Sequence, residues 1–171
     1  MNNDILAHSM KVAEISRQIA EKMGLEEKAV IGIKIAAFFH DIGKEYIPKV
    51  ILDKPEKLSK DEFKIVKLHT KFGYDMLSQF DNGTMKITAE VALNHHERYD
   101  GSGYTNKLNR EISLAARIVA VADVYAALIA DRVYRTALST NNALSYMQNN
   151  AGKLFDPFTV QALLKIKKGG R

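Results

Sequence analysis

Cysteine is absent from this 171-residue chain, and so is any run of about 18 consecutive apolar residues. Without cysteine the chain has neither disulfide bonds nor thiolate ligands, so a bound metal must be held by nitrogen and oxygen atoms. A cysteine-free chain fits a reducing compartment, and we expect a cytoplasmic location. The missing apolar run predicts no membrane insertion.

Length and charge narrow the class of protein. With 46% hydrophobic residues the chain is long enough for one well-packed domain, and we assign residues 1–171 to it. The net charge of +5 favours an anionic ligand. Six lysines have the spacing of a solvated helix face, so a small anion is a better prediction than a nucleic acid polymer. These lysines are Lys54, Lys57, Lys60, Lys64, Lys67 and Lys71.

Apolar residues recur with a helical period along nearly the whole chain, and no segment alternates like a β-strand. The predicted fold is therefore all-α, a single compact domain of about seven helices. The expected helices cover residues 3–23, 26–40, 59–80, 84–96 and 114–129, a short stretch after residue 140, and the segment from Pro157 onward. Pro48 and Pro55 predict a loop after the second helix. Ser59 with Glu62 forms a capping box, and Asp156 precedes a first-turn proline.

Buried charge points to a metal site. Neutral imidazole and carboxylate groups form the ligand set of a transition metal, and a bound metal turns water into a nucleophile at neutral pH. His40 and Asp41 end the most apolar predicted helix, and Asp123 lies in an equally apolar segment. Both carboxylates need a cation or a paired donor once buried. A shared metal meets that need, and the chain is predicted to be a hydrolase.

Other histidines extend this site. His95 and His96 point about 100° apart on a helix, so a two-metal centre is expected. Asp4 and His8 are four residues apart and share one face of the first helix. The alternatives are plainer: a lone histidine such as His8 or His69 is more often a core residue. Asp4 also suits the first turn of a helix, where negative charge is favourable.

Several motifs carry a family resemblance. The pattern of His8, His40-Asp41 and Asp123 resembles the HD phosphohydrolase superfamily. The segment 41–44, the surroundings of His69 and the segment 95–104 are similar to its HD-GYP branch. The likeness continues through residues 122–128, 131–135 and 155–157. It covers almost the whole chain and implies an HD-type helical domain around a central metal centre.

The resemblance implies two ligand sets that share Asp41, and two or three divalent metal ions, with iron or manganese expected. The first set is His8, His40, Asp41 and Asp123. The second set is Asp41, His69, His95 and His96. The division of His8 and His96 between the metals stays open. Asp4 stands where relatives hold a ligand for a third metal.

The resemblance also implies a substrate. The expected activity is hydrolysis of cyclic di-GMP to linear pGpG, to GMP or to both, by metal-activated hydroxide with Asp41 and Lys44 as catalytic residues. Lys44 would contact the scissile phosphate, and Tyr104 would line the substrate site. Arg132 and Arg135 match phosphate-binding positions, which suits the bidentate guanidinium group. The alternatives are an ordinary exposed lysine at position 44 and arginines that pair with a carboxylate.

Several departures from the family pattern bear on substrate and partner, and they include positions 45, 46 and 106–108. Threonine stands at position 105 where the family has proline, and Ala126 replaces a common aspartate. Loss of proline should loosen the Gly103-Tyr104-Thr105 loop, which is expected to shape the substrate edge or the surface for a signalling partner. A homodimer is a further expectation. No predicted metal ligand is lost.

Three functions remain open from sequence. The first is a cyclic di-GMP phosphodiesterase, which the intact ligand set favours. The second is a metal phosphohydrolase acting on another cyclic dinucleotide or on a nucleotide, which the altered loop permits. The third is a catalytically silent signalling module that binds a nucleotide or a protein. Product analysis over a nucleotide panel separates them.

Overall fold

The structure is a computed structural model that describes residues 3–131 and 136–169, with side chains described from residue 5 onward. This part of the chain is helical and contains no β-strand, only an isolated bridge between Ala151 and Phe155. The predicted all-α fold is confirmed. The helices are α1 (Asn3–Lys22), α2 (Glu27–Phe39), α3 (Lys49–Leu52), α4 (Lys60–Lys67), α5 (His69–Leu77), α6 (Gly83–Asn94), α7 (Leu114–Leu128), α8 (Thr140–Asn149) and α9 (Pro157–Lys168). Two 3₁₀ turns cover Ile42–Tyr46 and Asn109–Glu111.

Side-chain caps begin several of these helices. Ser59 and Glu62 make the predicted capping box at the start of α4. Asp156 accepts hydrogen bonds from two backbone N–H groups at the start of α9, directly before Pro157. Each cap satisfies N–H groups that a helix start leaves unpaired. Both predicted caps are confirmed.

Two expected boundaries were wrong. The single helix predicted over residues 59–80 is two helices, α4 and α5, because the chain turns at Leu68, whose N–H donates to Ile65 in a tight 3₁₀-type bond of 3.0 Å. His69 therefore opens α5 instead of lying in mid-helix. The segment after Pro48, predicted as a loop, contains the one-turn helix α3, since a proline at a helix start removes no needed hydrogen bond. The described ranges hold nine α-helices, of which α3 is a single turn, where the sequence predicted about seven.

Two apolar clusters organise the fold. The larger one joins α1, α2, α7, α8 and α9, and α7 contributes Ile118, Val119 and Ala122 with no exposed surface. The smaller one joins α5 and α6 through Leu77, Ala89 and related side chains. Within the described ranges no helix is long and apolar enough to cross a membrane.

Candidate metal centre

The Asp41 carboxylate lies at the centre of a buried polar cluster and is only 6% exposed. Its Oδ2 atom is 2.5 Å from Lys44 Nζ and 3.3 Å from His40 Nε2. Its Oδ1 atom is 3.4 Å from His69 Nε2 and 3.6 Å from His95 Nε2. The two oxygens therefore face different histidines, which is the arrangement of a carboxylate shared by two cations.

The backbone orients three of these imidazole rings. The Nδ1 atom lies 2.7 Å from the Ala37 carbonyl in His40 and 2.5 Å from the Val66 carbonyl in His69. In His95 it lies 3.0 Å from the carbonyl of residue 92. A ring N–H that donates to a carbonyl keeps its proton on Nδ1 and leaves the Nε2 lone pair free for a metal. All three Nε2 atoms lie within 4 Å of Asp41.

Asp123 and His8 add a second side to the cluster. His8, on α1, places Nε2 3.0 Å from Asp123 Oδ1, on α7. The same oxygen is 3.9 Å from His40 Nε2. Two elements that are 115 residues apart in sequence therefore meet at the end of α2.

The candidate ligand atoms fall into two compact groups, each within a span of 4.8 Å. Asp41 belongs to both groups, which is the position expected of a bridging carboxylate. One group is Asp41, His69, His95 and His96. The other is His8, His40 and Asp41. Asp123 adjoins the second group through its contacts with His8 and His40.

Mutual charge and burial shift the pKa values of this cluster. Burial opposes the charged forms of His40 and Asp41, but their attraction outweighs it, so the pKa of His40 is raised and that of Asp41 is held well below its usual range. Burial, followed by the charge of His95, lowers the pKa of His69 to about 4. The same two causes lower the pKa of His96. His69 and His96 are therefore neutral at pH 7, the form that binds a metal.

Two atoms of the cluster have no hydrogen-bond partner within the described part of the chain. They are His40 Nε2 and Asp41 Oδ1, and both are buried. A buried polar atom without a partner costs about 1–3 kcal/mol. Asp41 Oδ1 is an electron-pair donor, and His40 Nε2 is one when the ring is neutral, so a cation that displaces the Nε2 proton would satisfy both atoms together. Nitrogen and oxygen donors with fixed tautomers and a shared carboxylate fit divalent transition metals.

Close backbone packing sets the distance between Asp41 and His69. A Cβ atom on Gly43 would lie 1.9 Å from the carbonyl oxygen of His69 and 2.5 Å from the N atom of Gly73. Only glycine allows the Ile42–Tyr46 turn to approach α5 this closely. Gly43 thus serves the site by shape and contributes no functional group.

A buried glutamate anchors the loop that carries Tyr104. The Glu97 carboxylate, 4% exposed, accepts the N–H of Thr105 at 2.9 Å and the N–H of Lys107 at 3.2 Å. A Cβ atom on Gly103 would lie 2.6 Å from Glu97 Cα. The sequence predicted a looser loop without proline. The Thr105 N–H, which proline would lack, supplies one of the two anchoring hydrogen bonds.

The structure places most of the predicted site residues in this cluster. Those brought together are His8, His40, Asp41, Lys44, His69, His95, His96 and Asp123. Lys44 contacts Asp41 directly instead of extending into solvent. The side chain of Asp4, and Arg132 and Arg135, lie outside the described residues.

A cleft of about 320 Å³ opens beside His95 and His96. Its lining includes Phe63, Lys67 and Tyr104.

No functional role was predicted from the sequence for Phe63, Lys67 or Glu97. An acidic residue inside a glycine-rich motif was the only available signal for Glu97, and the spacing of Lys67 matched an ordinary solvated helix face. A second hollow, about 440 Å³ at α1 and α9, contains no histidine and lies apart from this chemistry.

The fold and the cluster together define the class of protein. The HD domain family matches residues 2–158, and the chain belongs to that family. An HDG"Y"P protein from Bdellovibrio bacteriovorus shares the fold with a TM-score of 0.76 at 20% identity, over 96% of this chain and 53% of that one.

Curated relatives give the more particular likeness. The chain is 46% identical to the cyclic di-GMP phosphodiesterase response regulator RpfG of Xanthomonas campestris, over 91% of this chain and 41% of the relative. It is 43% identical to a cyclic di-GMP phosphodiesterase of Thermotoga maritima, over 94% and 44%. It is 37% identical to the 3'3'-cGAMP-specific phosphodiesterase 2 of Vibrio cholerae, over 93% and 31%. These matches confirm the resemblance to the HD-GYP branch, and the chain spans less than half the length of each relative.

Proposed function

We propose that this chain is a metal-dependent phosphodiesterase that hydrolyses cyclic di-GMP to linear pGpG, to GMP or to both. The observation that carries the proposal is the Asp41 carboxylate shared by two groups of candidate ligands. Relatives named as cyclic di-GMP phosphodiesterases, at 43% and 46% identity, support the substrate.

The ligand sets follow from the two groups. His8, His40, Asp41 and Asp123 would hold one divalent metal, and Asp41, His69, His95 and His96 would hold the other. Iron or manganese suits these nitrogen and oxygen donors, and Asp4 would add a ligand for a third metal. When bound, the metals supply an activated water and positive charge for the phosphoryl oxygens.

The chain's own side chains position the substrate. Asp41 would contribute its carboxylate to both ligand groups, and Lys44 Nζ, beside Asp41 Oδ2, would contact an oxygen of the scissile phosphate. Arg132 and Arg135 would bind phosphate oxygens, and Tyr104 would line the cleft. Burial of Asp41 strengthens its charge interactions, because fewer water molecules screen them.

A second candidate substrate is a mixed cyclic dinucleotide. The relative from Vibrio cholerae is named for 3'3'-cGAMP, and the chain departs from the family proline at Thr105 beside Tyr104. The chemistry at phosphorus would be the same, and the cleft would decide which base is accepted. A silent signalling module would bind one of these nucleotides without forming product.

We also propose that residues 1–171 act as a single domain in the cytoplasm. A homodimer and a signalling partner that binds the Gly103-Tyr104-Thr105 loop remain predictions. Gel filtration with light scattering would measure the first, since a dimer of this 19.2 kDa chain would elute at twice its mass.

The decisive experiment is chromatographic product analysis. Anaerobically purified protein is incubated with cyclic di-GMP or with 3'3'-cGAMP, in Fe²⁺, in Mn²⁺ or in a chelator. We expect metal-dependent pGpG or GMP from cyclic di-GMP. Faster turnover of 3'3'-cGAMP would favour the second candidate. Bound metal without product from either nucleotide would contradict both hydrolase proposals and favour the signalling module.

A further inference from the structure

His96 is held differently from the other histidines at the end of α6 and on α5. His69 and His95 each place Nδ1 against a backbone carbonyl, whereas the His96 ring makes no hydrogen bond to the described residues. Its surroundings are aromatic: the Tyr104 ring centroid is 4.7 Å away at an interplanar angle of 35°, and the His95 ring is 4.1 Å away. Packing, instead of a backbone hydrogen bond, must therefore set the orientation of His96.

Tyr104 is itself held from two directions. First, the Glu97 carboxylate anchors the loop that carries Tyr104 by accepting hydrogen bonds from the N–H groups of Thr105 and Lys107. From α4, Lys67 Nζ lies 4.5 Å from the Tyr104 ring centroid, within the range of a cation–π contact. The Phe63 ring, one turn earlier, meets Tyr104 edge-on at 6.2 Å.

We propose that Tyr104 is a positioning residue that holds the His96 ring for metal binding, and that Lys67 and Phe63 of α4 keep Tyr104 in place. The proposal rests on the metal centre described under the proposed function. It gives this surface helix, which has no fully buried residue, a direct connection to the site. A displacement of α4 would then be transmitted through Tyr104 to His96.

The first test uses ring chemistry at position 104. Tyr104→Phe keeps the ring and Tyr104→Leu removes it, and Mn²⁺ titration of metal-free protein measures the affinity of each site. We expect the site that includes His96 to lose about two- to tenfold in Mn²⁺ affinity in Tyr104→Leu, which is the value of one aromatic pair, and Tyr104→Phe to bind as the unaltered protein does. Equal affinity in all three proteins would overturn the proposal.

The second test uses two lysines of the same helix. Lys67→Met removes the charge over Tyr104, and Lys64→Met is the matched control, because Lys64 pairs only with the exposed Asp61 among the described contacts. We expect a two- to fivefold loss of Mn²⁺ affinity at the same site in Lys67→Met and none in Lys64→Met. Identical behaviour of the two variants would contradict the role of Lys67.

Histidine-ring NMR of the metal-free protein separates this inference from the proposed function. Lys67→Met leaves the Tyr104 ring present, so a shift of the His96 ring signals with unmoved His69 signals would report a displaced Tyr104. No shift would overturn the inference. If the unaltered protein binds no metal, the proposed function fails, while the NMR result still decides whether Tyr104 and α4 hold His96.

Discussion

The apolar core and the polar cluster are buried to the same depth, yet they place opposite demands on the protein. Ile19, Val119 and Leu163 in the core have no exposed surface, and His40 in the cluster has none either. The apolar core side chains need only close packing, because they have no hydrogen-bonding groups to satisfy. The cluster holds two polar atoms without hydrogen-bond partners in the described ranges.

Magnitudes sharpen the contrast. Burying a large aliphatic side chain stabilises the fold by about 1.5–3 kcal/mol, whereas an unsatisfied buried polar atom costs about 1–3 kcal/mol. Burial of the core therefore stabilises the folded state by itself. The unsatisfied polar atoms of the cluster destabilise the folded state, and the core offsets that cost in the absence of a bound cation. Burial alone therefore does not distinguish a core from a functional site. The distinguishing feature is a buried polar atom that has no hydrogen-bond partner.

Replacing the shared carboxylate should give the largest effect. We expect Asp41→Asn to lower turnover by about a thousandfold, because the substituted side chain loses the negative charge that the two proposed metals would share. Metal analysis should show fewer than two ions per chain. Asp61→Asn is the control, since Asp61 is 85% exposed and pairs with Lys64. Two bound metals with full turnover in Asp41→Asn would contradict the bridging role.

Removal of metal should destabilise the folded protein and leave the core unaffected. At a metal concentration of 100 times Kd, binding to the folded state alone contributes about 2.7 kcal/mol. We expect urea unfolding to show that loss on chelation. Leu163→Ala in the core should cost about 2–5 kcal/mol with or without metal. If the metal effect disappeared in Leu163→Ala, the two regions would not be independent.

Substitutions at two glycines test whether close backbone packing at Gly43 is needed for metal binding. Gly43→Ala should cost about 1–3 kcal/mol and reduce metal content, because the new methyl group meets backbone atoms of α5. Gly32→Ala, in α2, is the matched control: its Cβ would meet only Ile87 at 3.9 Å. That change should stabilise the protein by about 0.5–1 kcal/mol. Urea titration and metal analysis measure both. Equal metal content in the two variants would count against the packing argument.

The smallest effect is expected at a surface pair that touches neither region. A hydrogen bond from Arg17 lowers the pKa of Glu14 to about 2 against a partial opposing effect of burial. The folded pKa lies below the unfolded one, so the stabilisation is present above pH 4.5 and declines as the pH falls toward 2. Glu14 is 45% exposed, so Glu14→Gln should cost less than about 1 kcal/mol at pH 7. The difference between the two proteins in urea unfolding should shrink between pH 6 and pH 3, and a difference independent of pH would exclude this ion pair as its cause.

The sequence pattern predicted helix positions well where the helix depends on contacts between residues close in sequence. The 3.6-residue period located α1, α2 and α7 within one or two residues, and Ser59 and Asp156 marked two helix starts. The break at Leu68 escaped prediction, because the apolar period runs through it. The start of α8 is a smaller difference: the short helix was expected after residue 140, whereas Ser139 caps it and Thr140 is already helical.

By itself the sequence determined the helical class and the chemical types of the ligands, because periodicity, capping and a buried histidine or aspartate depend on neighbours within about four residues. Only the tertiary structure decided which of those side chains meet. The contact of His8 with Asp123, the seat of Gly43 against His69, and the packing of Tyr104 on His96 under α4 join separate elements. Such contacts depend on the packing of whole helices, which no local pattern encodes.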